Sequence, residues 1–101
     1  MKYYRIEWIH NFKEQPVQYL IEVDLFGFEH KKIENYKAGV INFASNELEK
    51  GKFLSQDSFD SEDYKYESSV EKICATEIAQ SKFYKEWDNV IKCNNSILDN
   101  K

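Results

Sequence analysis

The sequence predicts an α+β domain, in which a four- to five-stranded antiparallel meander sheet carries one C-terminal amphipathic helix on a face. Over the first 44 residues, apolar and polar side chains alternate with a period of two, and each run ends at a turn signal. From about residue 79 the apolar residues recur instead with the period of an α-helix. We expect a single domain over residues 1–101, because a chain of this length has room for one core.

The first part of the chain contains the strands of the predicted meander. They are expected at about residues 2–9, 17–25, 29–36 and 40–44. In the first strand Tyr4, Ile6 and Trp8 share one face, which we expect to be the core side. The second strand alternates almost throughout, and Leu20 is the exception. The third strand is polar and carries lysines, as suits a sheet edge or a solvent-facing position, and Gly39 suits the turn before the fourth.

The second part of the chain is expected to end in a helix. Residues 70–76 are a possible further strand, because they include β-branched residues and Ile73 and Ala75 have strand spacing, and a helix is the alternative. A helix is predicted at about residues 79–93. One apolar stripe supports it and consists of Phe83, Trp87, Val90 and Ile91. We expect this stripe to pack on the sheet.

The net charge of −4 is concentrated in one place. The stretch QDSFDSEDYKYE, residues 56–67, alternates acids with aromatics, and we call it the acidic stretch. Residues 57–71 carry a net charge of −5, and the rest of the chain is neutral to within one charge. Within the stretch, SEDY can form one helical turn with Ser61 as its cap. An acidic protein is expected to repel nucleic acid, so a basic partner is favoured.

Chemical groups for catalysis or cofactor binding are sparse. His10 with Glu22 or Asp24 offers an acid–base pair, and a small enzyme or ligand-binding domain built on it is the alternative function. No residues have the spacing of a metal site, and no glycine-rich phosphate loop is present. We therefore expect no enzymatic activity, no metal and no cofactor. His30 is expected to be solvated.

The acidic stretch is the strongest candidate for a partner-binding surface. Its carboxylates would pair with lysine or arginine of a protein partner, and its rings, expected to be exposed, would supply contact area. The predicted partner-binding residues are Asp57, Phe59, Asp60, Glu62, Asp63, Tyr64, Tyr66 and Glu67. The alternative is a mobile acidic loop that keeps the protein soluble.

The chain also resembles a family of small, uncharacterised bacterial domains. That family opens with R-x-x-W-I-H-D, continues with E-P-V and Y-x-E-x-D, and closes on a helix of F-x-x-x-W type. The matching residues here are Arg5, Trp8, Ile9, His10, Pro16, Val17, Glu22, Asp24, Lys32, Ile33, Glu34, Gly39, Phe83 and Trp87. The resemblance covers about residues 3–90.

In size, charge and setting the chain resembles the immunity partners of bacterial toxins, including those of contact-dependent growth inhibition systems. This resemblance implies a protein that binds one cognate toxin, often a nuclease, and blocks its active site or substrate entry. We expect a cytoplasmic protein whose mature chain begins at Met1, because its N-terminus lacks a signal-peptide pattern. The sequence contains no run of about 20 apolar residues, so we expect no membrane partner. A regulatory module bound to a larger host protein remains a third interpretation.

Overall fold

The computed structural model describes the backbone of residues 1–45, 49–50, 54 and 58–99, and the side chains of residues 1–45, 54 and 58–93. These residues form an open antiparallel sheet of six strands, with a two-residue seventh strand at one edge, and one C-terminal α-helix. In chain order the elements are β1 (Lys2–Ile9), β2 (Gln18–Val23), β3 (Glu29–Asn35), β4 (Ile41–Ser45), β5 (Glu49–Lys50), a 3-10 helix (Ser61–Tyr64), β6 (Lys65–Glu67), β7 (Lys72–Ile78) and α1 (Gln80–Asp99). The predicted α+β class is confirmed, and the predicted four to five strands are too few. No helix in this described part of the chain is long and apolar enough to cross a membrane.

The sheet is a meander with a hairpin added to its first strand. Its strand order is β5-β4-β3-β2-β1-β7-β6, so β1 is flanked by β2 on one side and by β7 on the other. In the pairing of β1 with β7, Ile6 lies opposite Ala75 and Trp8 lies opposite Ile73. The apolar positions of the two strands thus share a face, which explains why residues 72–78 form a strand and not a helix.

Two elements differ from the sequence-based prediction. β6 lies inside the acidic stretch, where three residues are too few for a period-two pattern to be recognised. The helix α1 continues to Asp99, beyond the predicted end at about residue 93. Asn94 and Asn95 lie within it, and each asparagine costs a helix less than about 0.7 kcal/mol relative to alanine. Two such residues are therefore insufficient to end it.

One face of the sheet, here called the helix face, is covered by α1. Phe83 and Trp87 are buried there, with their rings stacked at a centroid distance of 6.2 Å. The Phe83 ring lies 5.2 Å from that of Tyr3, and the Trp87 ring lies 5.9 Å from that of Phe43. Leu20 belongs to the same cluster. The predicted helical stripe is thus packed on the sheet, on the odd-numbered face of β1. The even-numbered face, expected to be the core side, also has a buried core residue, Ile6, but α1 does not cover it.

The opposite face of the sheet has a core of its own. Ile6, Ile21 and Val23 are buried there, and residues 58–64, here called the cover segment, lie against them through Phe59 and Tyr64. Both faces of β2 are therefore covered. This arrangement explains why its apolar residues do not keep to alternate positions.

Two glycines with positive φ provide a test of how the cover segment is seated. Gly27 (φ 85°) and Gly39 (φ 88°) both occupy turns that disfavour a side chain. A Cβ at Gly27 would lie 2.4 Å from Oγ of Ser58 and 3.0 Å from the carbonyl oxygen of Phe59, whereas a Cβ at Gly39 meets nothing within 4 Å.

We expect Gly39→Ala to lower the free energy of unfolding by about 1 kcal/mol, from backbone strain. Gly27→Ala should lower it by at least about 1 kcal/mol more, because the cover segment must also shift. Urea unfolding at pH 7 measures both variants, and Gly39→Ala is the matched control. Equal losses would mean that the cover segment is not seated against this turn.

Candidate functional site

Two aromatic rings and two hydrogen bonds at its beginning hold the cover segment against the rest of the domain. The Phe59 ring lies 4.8 Å from Tyr4 and 5.1 Å from Tyr64, the latter in a stacked arrangement. The Phe59 amide donates to the carbonyl oxygen of Gly27 at 2.7 Å, and Oγ of Ser58 donates to that of Phe26 at 2.8 Å. Phe59 and Tyr64 are thus half-buried anchors of the segment, and the expectation that their rings would be exposed is wrong.

The acids of the cover segment are arranged by a single turn of 3-10 helix. Its N-cap is Asp60, whose Oδ1 accepts from the Glu62 amide at 3.0 Å, so the predicted cap at Ser61 is displaced by one residue. Asp60, Glu62 and Asp63 are all exposed. Nζ of Lys65 lies 2.9 Å from Oε1 of Glu62, and that hydrogen bond raises the pKa of the lysine. The turn therefore holds the backbone of these three acids, and their side chains are exposed to solvent.

The remaining predicted partner-binding residues lie beside this group or outside the described residues. Tyr66 and Glu67 are exposed on β6, where Tyr66 pairs with Ile73 and Glu67 with Lys72. Asp57 lies outside the described residues. Asp60, Glu62, Asp63, Tyr66 and Glu67 are thus all exposed. Tyr66 lies on the face of the sheet that carries the cover segment, since it pairs with Ile73, and Glu67 lies on the opposite face.

The turn between β2 and β3 presents a group of apolar side chains that sequence reasoning missed. Leu25 is 90% exposed, Phe26 is 77% exposed and Phe28 is 46% exposed. We call residues 25–28 the apolar tip. The sequence signal is the run LFGF, three large apolar residues around a turn glycine, of which the predicted second strand includes only Leu25. β2 in fact ends at Val23, before the predicted end at residue 25.

Asp24 holds the apolar tip in place. Its Oδ1 accepts from the amides of Phe26 at 2.8 Å and Phe28 at 3.1 Å, and its Oδ2 lies 2.9 Å from Nε2 of His30. The hydrogen bond with His30, followed by those from the two amides, holds the pKa of this carboxyl below its usual value. The Gly27 amide also donates to the Asp24 carbonyl at 3.0 Å. The tip is therefore a closed turn with exposed side chains.

A groove of about 400 Å³ separates the apolar tip from the cover segment. The residues that line it include the acids Asp24 and Asp60, the aromatic residues Tyr4 and Phe59, and Lys2. Since the tip and the cover segment are joined by hydrogen bonds, the groove, the tip and the exposed acids form one continuous surface.

The comparison with protein families places this surface within a known domain. A family model described as a domain of unknown function (DUF6881) matches residues 2–92, which include the apolar tip and the cover segment. The chain belongs to this family. No curated protein and no solved structure gives a significant match to this chain.

In this DUF6881 domain His10 does not meet the carboxylates predicted as its partners. Its Nδ1 accepts from the Phe12 amide at 2.9 Å, so Nε2 carries the proton and donates to the carbonyl oxygen of Pro16 at 2.8 Å. His10 follows the end of β1, whereas Glu22 pairs with Tyr3 near its beginning. The predicted pair of His10 with Glu22 or Asp24 is therefore not assembled, and both ring nitrogens of His10 serve the loop.

The second histidine of the domain is engaged as well. His30 pairs with Asp24 and its side chain is 31% exposed, so the expectation of a solvated histidine is wrong. Asp24 cannot act freely as a base there, since its other oxygen holds two amides of the apolar tip. No group of three or more side chains that could hold a metal ion occurs among the described residues.

Glu22 belongs to a buried network under α1. It is 2% exposed, and its carboxylate accepts hydrogen bonds from the Tyr84 hydroxyl and, at 3.2 Å, from Nζ of Lys31. Burial alone would raise the pKa of this carboxyl, but the hydrogen bonds from Tyr84, Lys31 and Tyr3 outweigh it and leave the pKa below its usual value. Burial and the bond to Glu22 raise the pKa of Tyr84 to about 12. This network joins α1 to the sheet and leaves Glu22 no access to a substrate.

Trp8 lies with the loop after β1 and not with either core cluster. Its Nε1 donates to Oε1 of Glu71 at 2.7 Å, and its ring lies 4.1 Å from that of His10 and 6.1 Å from that of Phe12. An open depression of about 630 Å³ adjoins it. The depression is lined by Trp8, Phe12, Lys13, Glu14 and Gln15. Its two charges are of opposite sign, so it has no preference for a basic or an acidic partner.

Proposed function

We propose that this domain is an immunity protein that binds one cognate bacterial toxin, a basic nuclease domain, and blocks its active site or the entry of its substrate. The observation that carries the proposal is the placement of Asp60, Glu62 and Asp63. They are exposed on a cover segment that two aromatic rings and two hydrogen bonds fasten to the sheet. A partner therefore meets carboxylates carried by a segment whose backbone is held in place, which favours specific pairing.

The charge distribution supports a basic partner. Residues 57–71 carry a net charge of −5 in a chain that is otherwise nearly neutral. Nucleases bind the phosphate backbone through lysine and arginine, and a group of carboxylates can occupy the place of those phosphates. Opposite charge also speeds the encounter of the two proteins, by a factor of about 10–1,000 at low salt. The resemblance to immunity partners of toxins leads to the same function.

The proposal assigns the domain no catalysis and places it in the cytoplasm, where it would meet a nuclease that has entered the cell. The geometry around His10 supports the first part, because its ring nitrogens hold the loop and Glu22 holds α1. No observation favours the alternative of a small enzyme built on His10.

The proposal predicts that the reading frame directly upstream encodes a large secreted toxin, and the C-terminal domain of that protein is the partner to be tested. We expect its expression to arrest growth and co-expression of the wild-type DUF6881 domain to restore it. In the variant D60N/E62Q/D63N the side chains keep their shape and the amide oxygen introduced at position 60 can still cap the turn, but three charges are lost. We expect its association rate with the purified toxin domain to fall by about 10-fold or more at low salt, with a weaker salt dependence.

The matched control changes three exposed acids away from the cover segment. E77Q/E86Q/D88N alters the net charge by the same amount, and all three positions are exposed on β7 and α1. We expect its association rate to stay within about 3-fold of wild type. Equal rates for the two variants would show that the cover segment is not the binding surface. A wild-type domain that neither binds the toxin domain nor restores growth would overturn the immunity function.

A further inference from the structure

We propose that the apolar tip is the anchor of this interface, and that Leu25 and Phe26 insert into an apolar socket rimmed by lysine or arginine on the partner. This inference rests on the proposed function and adds to it the residues that supply most of the affinity. The acids of the cover segment then guide the encounter, and the tip holds the complex together.

The exposure of the tip is the first argument. Single exposed apolar residues are common on protein surfaces, but contiguous apolar patches usually mark a binding site. Here Leu25, Phe26 and Phe28 are all exposed within four consecutive residues. Leucine and phenylalanine at 90% and 77% exposure keep nearly all of their apolar area available for a partner to bury.

The rigidity of the tip is the second argument. Asp24 accepts from two tip amides, Gly27 closes the turn at a φ that few other residues adopt, and Phe59 and Ser58 donate to tip carbonyls. The backbone that presents Leu25 and Phe26 is thus held before any partner arrives. A preorganised anchor loses little conformational entropy on binding, so more of the gain from burial appears as affinity.

The charge around the tip identifies the occupant. The groove beside the tip is lined by Asp24 and Asp60 together with Lys2, and the cover segment that borders it carries Glu62 and Asp63. A protein seated on the tip therefore meets an excess of carboxylates around an apolar centre. Its complementary surface is an apolar socket with a basic rim. A second copy of this chain fits poorly, because a symmetric contact would bring the acids of the two cover segments near each other.

The test replaces the two most exposed side chains of the tip. We expect L25S/F26S to raise the Kd for the upstream-encoded toxin domain by about 100-fold or more, through faster dissociation, while the association rate stays within about 3-fold. V40S/V70S is the matched control, because Val40 and Val70 are 55% and 74% exposed outside the tip. We expect its Kd to be unchanged. Surface plasmon resonance at two salt concentrations gives both rates, and circular dichroism verifies that the variants are folded.

The possible outcomes distinguish a failure of this inference from a failure of the proposed function. If L25S/F26S binds like wild type while D60N/E62Q/D63N associates slowly, the tip is not the anchor and the immunity function stands. If wild type does not bind the toxin domain, both are wrong. Sedimentation of the free domain tests the remaining occupant: self-association of wild type that L25S/F26S abolishes would assign the tip to a second copy and overturn the inference.

Discussion

The Phe83→Ala variant is expected to lose about 3–5 kcal/mol of unfolding free energy, which is a large share of the stability of a domain this size. Phe83 is completely buried, and its ring contacts Tyr3 on β1 and stacks on Trp87 in its own helix. Removing it leaves a cavity between α1 and the sheet that neighbouring side chains fill only in part. Urea unfolding at pH 7, followed by fluorescence of the tryptophans, measures the loss.

Leu25→Ala is the control for this prediction, because it also removes a large apolar side chain. Leu25 is 90% exposed, so we expect a change of less than about 0.5 kcal/mol. A loss at Phe83 no larger than that at Leu25 would contradict the packing of α1 on the helix face.

The Glu22→Ala variant is expected to lose about 2–4 kcal/mol at pH 7. The substitution removes the acceptor of both Tyr84 and Lys31. The bond from Nζ of Lys31 to the Tyr84 hydroxyl oxygen at 3.2 Å remains, but the Tyr84 O–H is left without its acceptor between α1 and the sheet. Lys31 is 28% exposed and can turn partly toward water, which limits the loss. Glu7→Ala is the control: its side chain is 51% exposed and its contact with Arg5 is 3.3 Å, so we expect less than about 0.5 kcal/mol.

The loss of stability in Glu22→Ala is expected to depend on pH. The pKa of Glu22 is lower in the folded chain than its ordinary value of 4.5, so folding favours the ionised form. The resulting stability is complete above pH 4.5 and is lost as the pH falls through the folded-state pKa. We therefore expect the difference in unfolding free energy between wild type and Glu22→Ala to narrow below pH 4.5. Urea unfolding midpoints of wild type and Glu22→Ala, measured from pH 7 to pH 3, check this. A difference between the two proteins that does not change with pH would contradict it.

The sequence predicted the strands and the helix well where one rule of periodicity applied. Phe83 and Trp87 lie on a single stripe, and the helix packs through that stripe. β2 was harder, because alternation assumes that one face is solvated. Leu20 lies under α1 while Ile21 lies against the opposite core, so both positions are buried.

The candidate site was predicted in part, and for a related reason. The acids of the cover segment are exposed as their charge implies, but Phe59 and Tyr64 turn inward because the segment folds back onto a sheet face. Such a long-range contact leaves no local pattern. The apolar tip was missed because Leu25 and Phe26 continue the apolar character of β2, and nothing in their spacing shows that the strand has already ended at Val23.

The central position of β1 has a consequence for how the chain folds during synthesis. β1 leaves the ribosome early, yet one of its neighbours is β7, and its helix face is covered by Phe83 and Trp87. Contacts so distant along the chain form slowly, because the intervening loop must first be closed. A nascent chain that ends before α1 therefore has an uncovered first strand. We expect the domain to fold only after nearly all of it has emerged, so that a new copy becomes competent to bind a partner only when translation of the domain is complete.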